Sequence, residues 1–454
     1  MSRLVVVSNR VVLPNEQPVG GLSIALVSAL QAHGGLWFGS SGAKPKADPG
    51  TVHVSAHEGI EYRTLDLSVE DIELYYNGFS NRTLWPLLHF RPDLLGYSRQ
   101  SRDAYERVNA LFAAKLAPLL RDTDTVWIHD YHLIPLGGLL RALGIGCRVG
   151  FFLHVPMPSA DTLAALPEHD ALFSTLASYD LVGFQTVRDV ERYQDYLRLF
   201  GQGSEVAPGR IRSSAGREFR IAAFPVGIDT KLVAQQAQRA ADKPGVRRLR
   251  ASLAEHALAI GVDRLDYSKG LPERFRSFAH YLECYPAQRG NLSFLQISPL
   301  SRTDIADYQV LRAELEGLAG RINGAYADPE WTPIRYVNST FAHDVLTGFY
   351  RIADIGLVTT LRDGMNLVAK EYVASQDPAC PGVLILSRFA GAASELRDAL
   401  LVNPYDADEV ADAVARALAM PLAEKLDRWR GMMAVMREND ATSWRTSYVQ
   451  ALLA

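Results

Sequence analysis

Cysteine is scarce in this chain. Among its 454 residues there are only three cysteines, Cys147, Cys284 and Cys380, and they lie far apart. Because their number is odd and no CxxC pair occurs, the sequence indicates neither a disulfide framework nor a cysteine-based zinc site. A reducing compartment fits such a composition best, and we expect a cytoplasmic protein.

Long apolar runs and an excess of one charge are also missing. No segment has the roughly 18 or more uninterrupted apolar residues that a membrane-spanning helix requires. The 47 basic and 51 acidic residues nearly cancel, for a net charge of -4, whereas a general nucleic-acid binder normally carries a basic excess. We therefore expect neither nucleic acid nor a membrane as a partner, and a homo-oligomer is compatible with the sequence.

Short apolar runs separated by helical patterns are what the chain does contain. Examples are residues 126–130, 149–154, 257–262 and 355–358. Continuous apolar strands that alternate with helices are typical of parallel sheets covered on both faces, so we predict an α/β fold. A chain of this length exceeds what one hydrophobic core usually supports, and a polar segment at 229–247 suggests the connection between two domains.

Polar residues collect where several of the predicted strands end. They include His129, Asp130, His154 and Asp263. In open α/β sheets, ligands bind beyond the carboxyl ends of the strands. Each residue taken alone is explained equally well as a loop residue or a helix cap, but several such ends together favour a binding site.

Residues 261–270 are the most informative of these strand ends. Arg264 offers a planar fork for phosphate oxygens, and Lys269 offers a mobile point charge. Two cations beyond a strand end would suit a diphosphate. Alternatively, the segment is a surface loop in which Asp263 and Asp266 neutralise the cations, and the decapeptide alone does not separate these interpretations.

Residues 359–371 form a second candidate. Gly364 would let the backbone approach a ligand, and the apolar helix that follows would offer free N–H groups to an anion. Glu371, two turns into that helix, would accept hydrogen bonds from a ribose diol. The alternative is that Asp363 only caps the helix and that Glu371 is solvated.

A third candidate lies near the N-terminus, where Gly20 and Gly21 are predicted to open a helix close to Arg10. Such a helix start can bind an anion, but no P-loop pattern is present. The aromatic residues Tyr76 and Trp85 are compatible either with the core or with a sugar site.

Several long strings, taken in order, resemble the trehalose-6-phosphate synthases, which are retaining glycosyltransferases of the GT-B fold. The strings include residues 127–132, 150–156, 264–274 and 361–372, and the resemblance spans essentially the whole chain. It implies two Rossmann-like domains facing a cleft: an acceptor-binding domain at 1–230 and a nucleotide-sugar-binding domain at 231–438. A terminal helix at 439–454 would cross back to the first domain.

The resemblance implies a hexosyltransferase that moves glucose from a nucleotide-glucose, with UDP-glucose expected, to glucose 6-phosphate. The product would be trehalose 6-phosphate, formed with retention, and no cofactor or metal ligand is implied. Catalysis is assigned by the resemblance to Arg264, Lys269, Asp363 and His154. Donor contacts are implied for Arg264, Lys269, Gly364, Met365, Asn366, Leu367, Glu371 and Gly21. Acceptor contacts are implied for Arg10, Gly21, Tyr76, Trp85, Asp130 and Arg302.

Ser40 departs from the family pattern, which commonly has tryptophan at this position beside the acceptor. The departure bears on the affinity for the acceptor and on its identity. Three alternatives stay open for the whole chain: an enzyme of the glucosylglycerol-phosphate synthase type that uses glycerol 3-phosphate, a nucleotide-sugar epimerase, and a non-catalytic sugar-phosphate sensor. The mechanism is also open between a front-face path and a double displacement through a carboxylate.

Overall fold

The computed structural model describes residues 3–14, 26–27, 30, 34–42, 49–253, 256–301 and 305–454. The chain divides into two compact units, one formed by Met1–Val226 with Thr442–Ala454 and the other by Gly227–Ala441. The polar segment at 229–247 lies just inside the second unit. It forms the helix Thr230–Ala240 and the start of the helix Pro244–Ser252.

The first unit is built on one sheet. Its strands are β1 (Leu4–Arg10), β2 (Gly35–Ser40), β3 (Val52–His57), β4 (Ile60–Leu65), β5 (Thr125–His129), β6 (Arg148–Phe152), β7 (Leu181–Phe184), β8 (Gly203–Ala207), β9 (Arg210–Ser213) and β10 (Glu218–Ala223). They lie in the order β3-β4-β2-β1-β5-β6-β7-β10-β9-β8. The central strands are parallel and buried. Within the described part of the chain, the antiparallel pairs lie at the two edges, where β3 meets β4 and where β8 and β9 follow β10.

Helices flank this sheet. The α-helices that lie wholly within the described residues are Val69–Asp71, Trp85–Leu88, Arg99–Leu116, Leu136–Ala142, Ala160–Leu163, His169–Phe173, Val187–Leu199 and Ala441–Leu453, with a π-helix at Ile72–Leu84. Short 3-10 turns lie at Pro92–Leu94, Ala117–Leu119, Tyr131–Leu133 and Ser174–Ser178.

The terminal helix Ala441–Leu453 packs on this sheet through Tyr448. The Tyr448 hydroxyl donates to the Phe151 carbonyl at 3.0 Å, and its ring stacks on Trp127 at a centroid distance of 4.5 Å. Glycine makes this approach possible, because a Cβ at Gly183 would lie 2.7 Å from the Tyr448 ring. Trp444, four residues before Tyr448 and so on the same helix face, is buried as well.

The second unit has a fully parallel sheet. Its strands are β11 (Ala257–Val262), β12 (Leu292–Ile297), β13 (Ile334–Val337), β14 (Ile355–Val358), β15 (Val383–Ser387) and β16 (Leu400–Val402). The order is β13-β12-β11-β14-β15-β16. Its α-helices are Thr230–Ala240, Pro244–Ser252, Leu271–Cys284, Ala306–Tyr326, His343–Ile352, Leu367–Ser375, Ala407–Ala419 and Leu422–Glu438, with 3-10 turns at Tyr267–Lys269, Pro286–Gln288 and Gly391–Ser394.

The order of strands in the second sheet reverses between β11 and β14. Strand order runs outward from β11 through β12 to β13 on one side, and from β14 through β15 to β16 on the other. Such a switch point leaves a crevice at the carboxyl ends of the two strands, where α/β proteins bind ligands. The predicted α/β class with two parallel-sheet domains is confirmed, and no helix among the described residues is long and apolar enough to cross a membrane.

Candidate functional site

The loops that follow β11 and β14 are joined at one carbonyl oxygen. The Ser268 carbonyl accepts hydrogen bonds from the Leu361 amide and from the Thr360 hydroxyl, each at 2.9 Å. A second close approach lies at Gly270, whose φ is +63° and whose Cβ, if present, would lie 2.7 Å from the Thr359 carbonyl oxygen. Two motifs that are about 90 residues apart in sequence therefore form one surface at the switch point.

Lys269 and Asp363 form an ion pair across these two loops. Lys269 Nζ contacts Asp363 Oδ2, and the Asn366 side-chain amide donates to the same oxygen at 3.0 Å. Burial alone would lower the pKa of Lys269, but the Asp363 and Asp263 carboxylates outweigh it and raise that pKa. The lysine is therefore a cation at neutral pH, held at a defined place in a low-dielectric setting.

Asp263 has its closest partner elsewhere. Its carboxylate accepts from Arg274 Nη1 at 2.8 Å, and both side chains are buried. The same guanidinium donates to Thr359 Oγ1 at 3.0 Å, to Gln296 Oε1 at 2.9 Å and to the Lys269 carbonyl oxygen at 3.3 Å. Arg274 thus connects the end of β11, the end of β14 and the loop that carries Lys269.

The alternative of a surface loop neutralised by Asp263 and Asp266 does not describe Lys269, whose side chain is only 15% exposed and whose ion-pair partner is Asp363. Asp266 accepts instead from the Ser268 amide and hydroxyl within its own turn. Arg264 is different, because 44% of its side chain is exposed and its guanidinium lies 3.9 Å from Asp266 Oδ2. This arginine remains accessible to a ligand.

Asn366 begins the helix Leu367–Ser375. Its φ is +79°, a left-handed conformation that asparagine tolerates better than most residues. Its side-chain oxygen accepts from the Ala369 amide at 3.1 Å, so the cap is Asn366, and the alternative that Asp363 caps this helix is wrong. The first N–H groups of a helix lack partners within it and favour negative charge.

The backbone at Gly364 and Met365 packs against the loop after β15. The Met365 carbonyl accepts from the Ala392 amide at 2.7 Å, and a Cβ at Gly391 would lie 1.8 Å from the Gly364 carbonyl oxygen. This contact holds the peptide groups just before Leu367 in place at the helix start.

Glu371 lies on the same helix and is not solvated. It is 8% exposed, and its Oε1 lies 3.3 Å from His343 Nε2. His343 Nδ1 in turn lies 3.1 Å from Gln236 Oε1. Contact with the Glu371 carboxylate raises the pKa of His343 and outweighs the opposite effect of burial. Glu371 is therefore a largely buried carboxylate beside a histidine whose protonated form it stabilises.

In the first unit, Asp130 and His154 meet at the carboxyl ends of β5 and β6. Asp130 has a φ of +75°, which is unusual for a residue other than glycine and often marks a functional site. Its Oδ1 accepts from the His154 amide at 3.2 Å. The backbone conformation therefore aims the carboxylate across the strand ends.

The imidazole of His154 is held between two polar groups. Its Nε2 lies 3.0 Å from His129 Nδ1, and its Nδ1 lies 3.4 Å from the Gln185 amide nitrogen. Burial lowers the pKa of His154 to about 3, and burial together with His154 lowers that of His129 as well. Both rings are neutral at physiological pH, so His154 is an uncharged hydrogen-bonding group at these strand ends.

The two aromatic candidates occupy different environments. Tyr76 is partly exposed and stacks on His132 at a centroid distance of 5.8 Å and an interplanar angle of 11°. Trp85 is 7% exposed and packs against His89 and Tyr131, so core packing accounts for most of its surface.

Arg10 is exposed at the end of β1, opposite Ser40 in the parallel register with β2. Its side chain runs along Gly42, where a Cβ would lie 2.5 Å from Arg10 Nε. Ser40 itself is buried. Two other predicted residues, Gly21 and Arg302, lie outside the described residues, as does most of the helix expected after Gly21.

Three residues of these sites were missed by reasoning from the sequence. Gln185 directly follows β7, so the strand-end rule that selected His154 would also have found it. Arg274 ends a string that matched the family, but a buried arginine cannot be recognised from its neighbours in the sequence. Nothing in the sequence marked His343 as a site residue, because its partners Gln236 and Glu371 are distant in the chain.

The amino-acid sequence is similar to those of proteins of a known family. Residues 8–454 match the model of glycosyltransferase family 20. A trehalose-6-phosphate synthase of Sinorhizobium fredii is 47% identical over 459 residues, which cover 100% of this chain and 99% of the relative.

Solved structures give the same result. An α,α-trehalose-phosphate synthase (UDP-forming) from Burkholderia xenovorans in complex with glucose-6-phosphate superimposes with a TM-score of 0.97 at 47% identity, covering 100% of both chains. The E. coli protein bound with UDP-2-fluoro glucose gives a TM-score of 0.95 at 47% identity, covering 99% of each chain. These likenesses confirm the GT-B class and the predicted glycosyltransferase activity, and the chain belongs to glycosyltransferase family 20.

Proposed function

We propose that this chain transfers glucose from UDP-glucose to glucose 6-phosphate with retention and releases trehalose 6-phosphate. The observation that carries the proposal is the constellation at the ends of β11 and β14, where Lys269, Asp363 and Asn366 converge. Relatives at close to half identity have been solved with glucose-6-phosphate and with UDP-2-fluoro glucose, and these two ligands represent the two substrates of the proposed reaction.

We assign the donor diphosphate to Arg264 and Lys269. Negative charge grows on the diphosphate as the bond to glucose breaks, and preorganised cations and N–H groups stabilise it. In the described structure Lys269 pairs with Asp363, so the diphosphate would share the ammonium with that carboxylate. The peptide groups of Gly364, Met365, Asn366 and Leu367 would add helix-terminus donors.

We assign the other donor groups by their chemistry. Glu371, buried and oriented by His343, would accept hydrogen bonds from the ribose hydroxyls. Asp363 and His154 would hold hydroxyls of the donor glucose, and Gly21 would contribute backbone to the donor as well as to the acceptor. The neutral His154 suits a hydroxyl partner, because such a contact needs no charge.

The acceptor groups belong mainly to the first unit. Asp130, with its constrained backbone, would bind sugar hydroxyls, and Tyr76 and Trp85 would pack against the sugar. Arg10 and Arg302 would bind the 6-phosphate. Charge-assisted bonds from arginine to phosphate are among the stronger polar contacts.

Of the two mechanisms, we favour the front-face path, in which the departing phosphate accepts the acceptor proton. Asp363 is the carboxylate paired with Lys269, and its Oδ2 already accepts from Lys269 and Asn366. A carboxylate engaged in this way is a weak nucleophile, because its charge is stabilised in the ground state. A trapped glucosyl–Asp363 adduct would contradict this choice.

The decisive experiment measures release of nucleoside diphosphate for a panel of donors and acceptors. We expect UDP-glucose with glucose 6-phosphate to be the best pair, with unchanged turnover in EDTA and an α,α-linked product by NMR. Glycerol 3-phosphate as the better acceptor would contradict the proposal, as would conversion of the donor without any acceptor. Arg302→Ala should remove much of the preference for glucose 6-phosphate over glucose.

The cytoplasmic location predicted from the cysteine content and the compatibility with a homo-oligomer remain predictions.

A further inference from the structure

Three potential metal ligands meet on the surface of the second unit, away from the residues discussed so far. His280 and Cys284 are four residues apart on the helix Leu271–Cys284 and therefore share one face. Asp408 comes from the first turn of the neighbouring helix Ala407–Ala419. One ligand atom of each side chain lies within 4.8 Å of the other two.

We propose that His280, Cys284 and Asp408 bind a divalent transition-metal ion of the zinc class. Imidazole nitrogen, thiolate sulfur and carboxylate oxygen are the three protein donor types that zinc uses. With Zn–N and Zn–S bonds of about 2.0 and 2.3 Å, tetrahedral geometry separates nitrogen from sulfur by roughly 3.6 Å. His280 Nε2 lies 3.4 Å from Cys284 Sγ, close to that spacing. Because Sγ also lies 3.9 Å from His280 Nδ1, the imidazole must rotate to direct its Nε2 lone pair at an ion shared with the sulfur.

Asp408 requires only a small movement to join them. Its Oδ1 lies 2.6 Å from His280 Nε2, a hydrogen-bond distance, whereas two ligand atoms on one zinc ion lie about 3.3 Å apart. The Asp408 side chain is 83% exposed and can withdraw by this amount without displacing packed atoms. The ion would take the position of the shared proton, and the thiol proton of Cys284 would be released to solvent.

Glu283 supplies an independent indication. Its Oε2 lies 3.5 Å from His280 Nδ1, the second ring nitrogen, which itself lies 3.9 Å from Cys284 Sγ. Histidines that bind metals usually donate their second N–H to a carboxylate or carbonyl, which orients the ring and increases its basicity. The cluster therefore has three candidate ligands and a carboxylate placed to support one of them.

The position of the cluster indicates a structural role. Lys269 lies two residues before the start of the helix Leu271–Cys284, and Cys284 ends that helix. At 1.5 Å per residue the two ends of the helix are roughly 20 Å apart. The ion would connect this helix to Ala407–Ala419 and would stabilise the second unit without touching the transferase site. The cysteine spacing alone indicated no metal site, because Asp408 joins the cluster only in the folded chain.

The test uses Co²⁺ as a spectroscopic probe on the full-length protein. We expect one bound equivalent with thiolate-to-cobalt absorption, and competition with Zn²⁺ should remove that absorption. Cys284→Ser should abolish the absorption, whereas the matched control Cys380→Ser, at another exposed cysteine, should retain it. Glu283→Gln should weaken binding roughly tenfold or more, as changes of such supporting carboxylates do.

Thermal unfolding gives a second readout. Zn²⁺ should raise the Tm of the protein, since an ion that binds only the folded state stabilises it. The increase should be absent in His280→Ala and in Cys284→Ser, and turnover of both variants should match that of the unchanged protein. Absence of cobalt–thiolate absorption in the unchanged protein, or an equal Tm increase in Cys284→Ser, would refute the site.

Discussion

Glu371 Oε1 lies 3.3 Å from His343 Nε2, and this contact raises the pKa of the histidine. The two residues are 28 positions apart on different helices, His343–Ile352 and Leu367–Ser375. The carboxylate assigned to the donor ribose thus lies beside a histidine whose protonated form it stabilises.

The first prediction concerns the pH dependence of stability. Because His343 binds its proton more tightly in the folded state, its contribution is fully present below its ordinary pKa of 6.5 and is lost as the pH rises through the raised value. His343→Gln should therefore lower the Tm most at acid pH, and the difference from the unchanged protein should shrink as the pH rises.

Thermal scans between about pH 5 and 8 measure this effect. His57→Gln, at an exposed histidine beside Glu58, is the control and should show no comparable trend. A Tm difference that stays constant over the whole range would mean that the His343–Glu371 contact does not exist in solution.

The second prediction separates binding from catalysis at Glu371. Glu371→Gln should raise the donor KM with a smaller change in kcat, because a neutral amide accepts hydroxyl hydrogen bonds less strongly than a carboxylate. Steady-state kinetics with varied UDP-glucose provide the measurement, and Glu273→Gln, a more exposed site on another helix, is the control. An unchanged donor KM in a folded variant would remove Glu371 from the donor site.

The third prediction concerns the two cations. Lys269→Ala and Arg264→Ala should each lower kcat by roughly a hundredfold or more, the usual cost of losing a contact that strengthens in the transition state. Arg276→Ala, which removes an exposed cation from the following helix, should have little effect. Nearly normal kcat in both active-site variants would place the diphosphate elsewhere.

The fourth prediction tests the buried network around Arg274. Arg274→Ala leaves the Asp263 carboxylate buried without its closest partner, and breaking a buried ion pair in this way typically costs about 3–5 kcal/mol. Asp263→Asn in the same chain should recover part of the loss, because it removes the unpaired charge. Denaturant unfolding of the single and double variants measures the coupling, and additive losses would show that the two side chains do not interact.

Much of this protein follows from its sequence alone. Apolar runs that alternate with helical patterns indicated two α/β domains, since strands buried on both faces must be apolar throughout. The strings at 264–274 and 361–372 indicated the family and the chemistry. Strand and helix patterns and family motifs are local properties of the sequence, so they can be recognised from residues that are close together in the chain.

Only the tertiary structure decided which groups meet. Lys269 has Asp263 and Asp266 within six positions in the sequence, yet it pairs with Asp363, which is 94 positions away. Asp263 makes its hydrogen bond to Arg274, and Glu371 lies beside His343 rather than in solvent. The reason is the strand order of the second sheet, which brings the ends of β11 and β14 together; distance in space depends on that order and not on spacing along the chain.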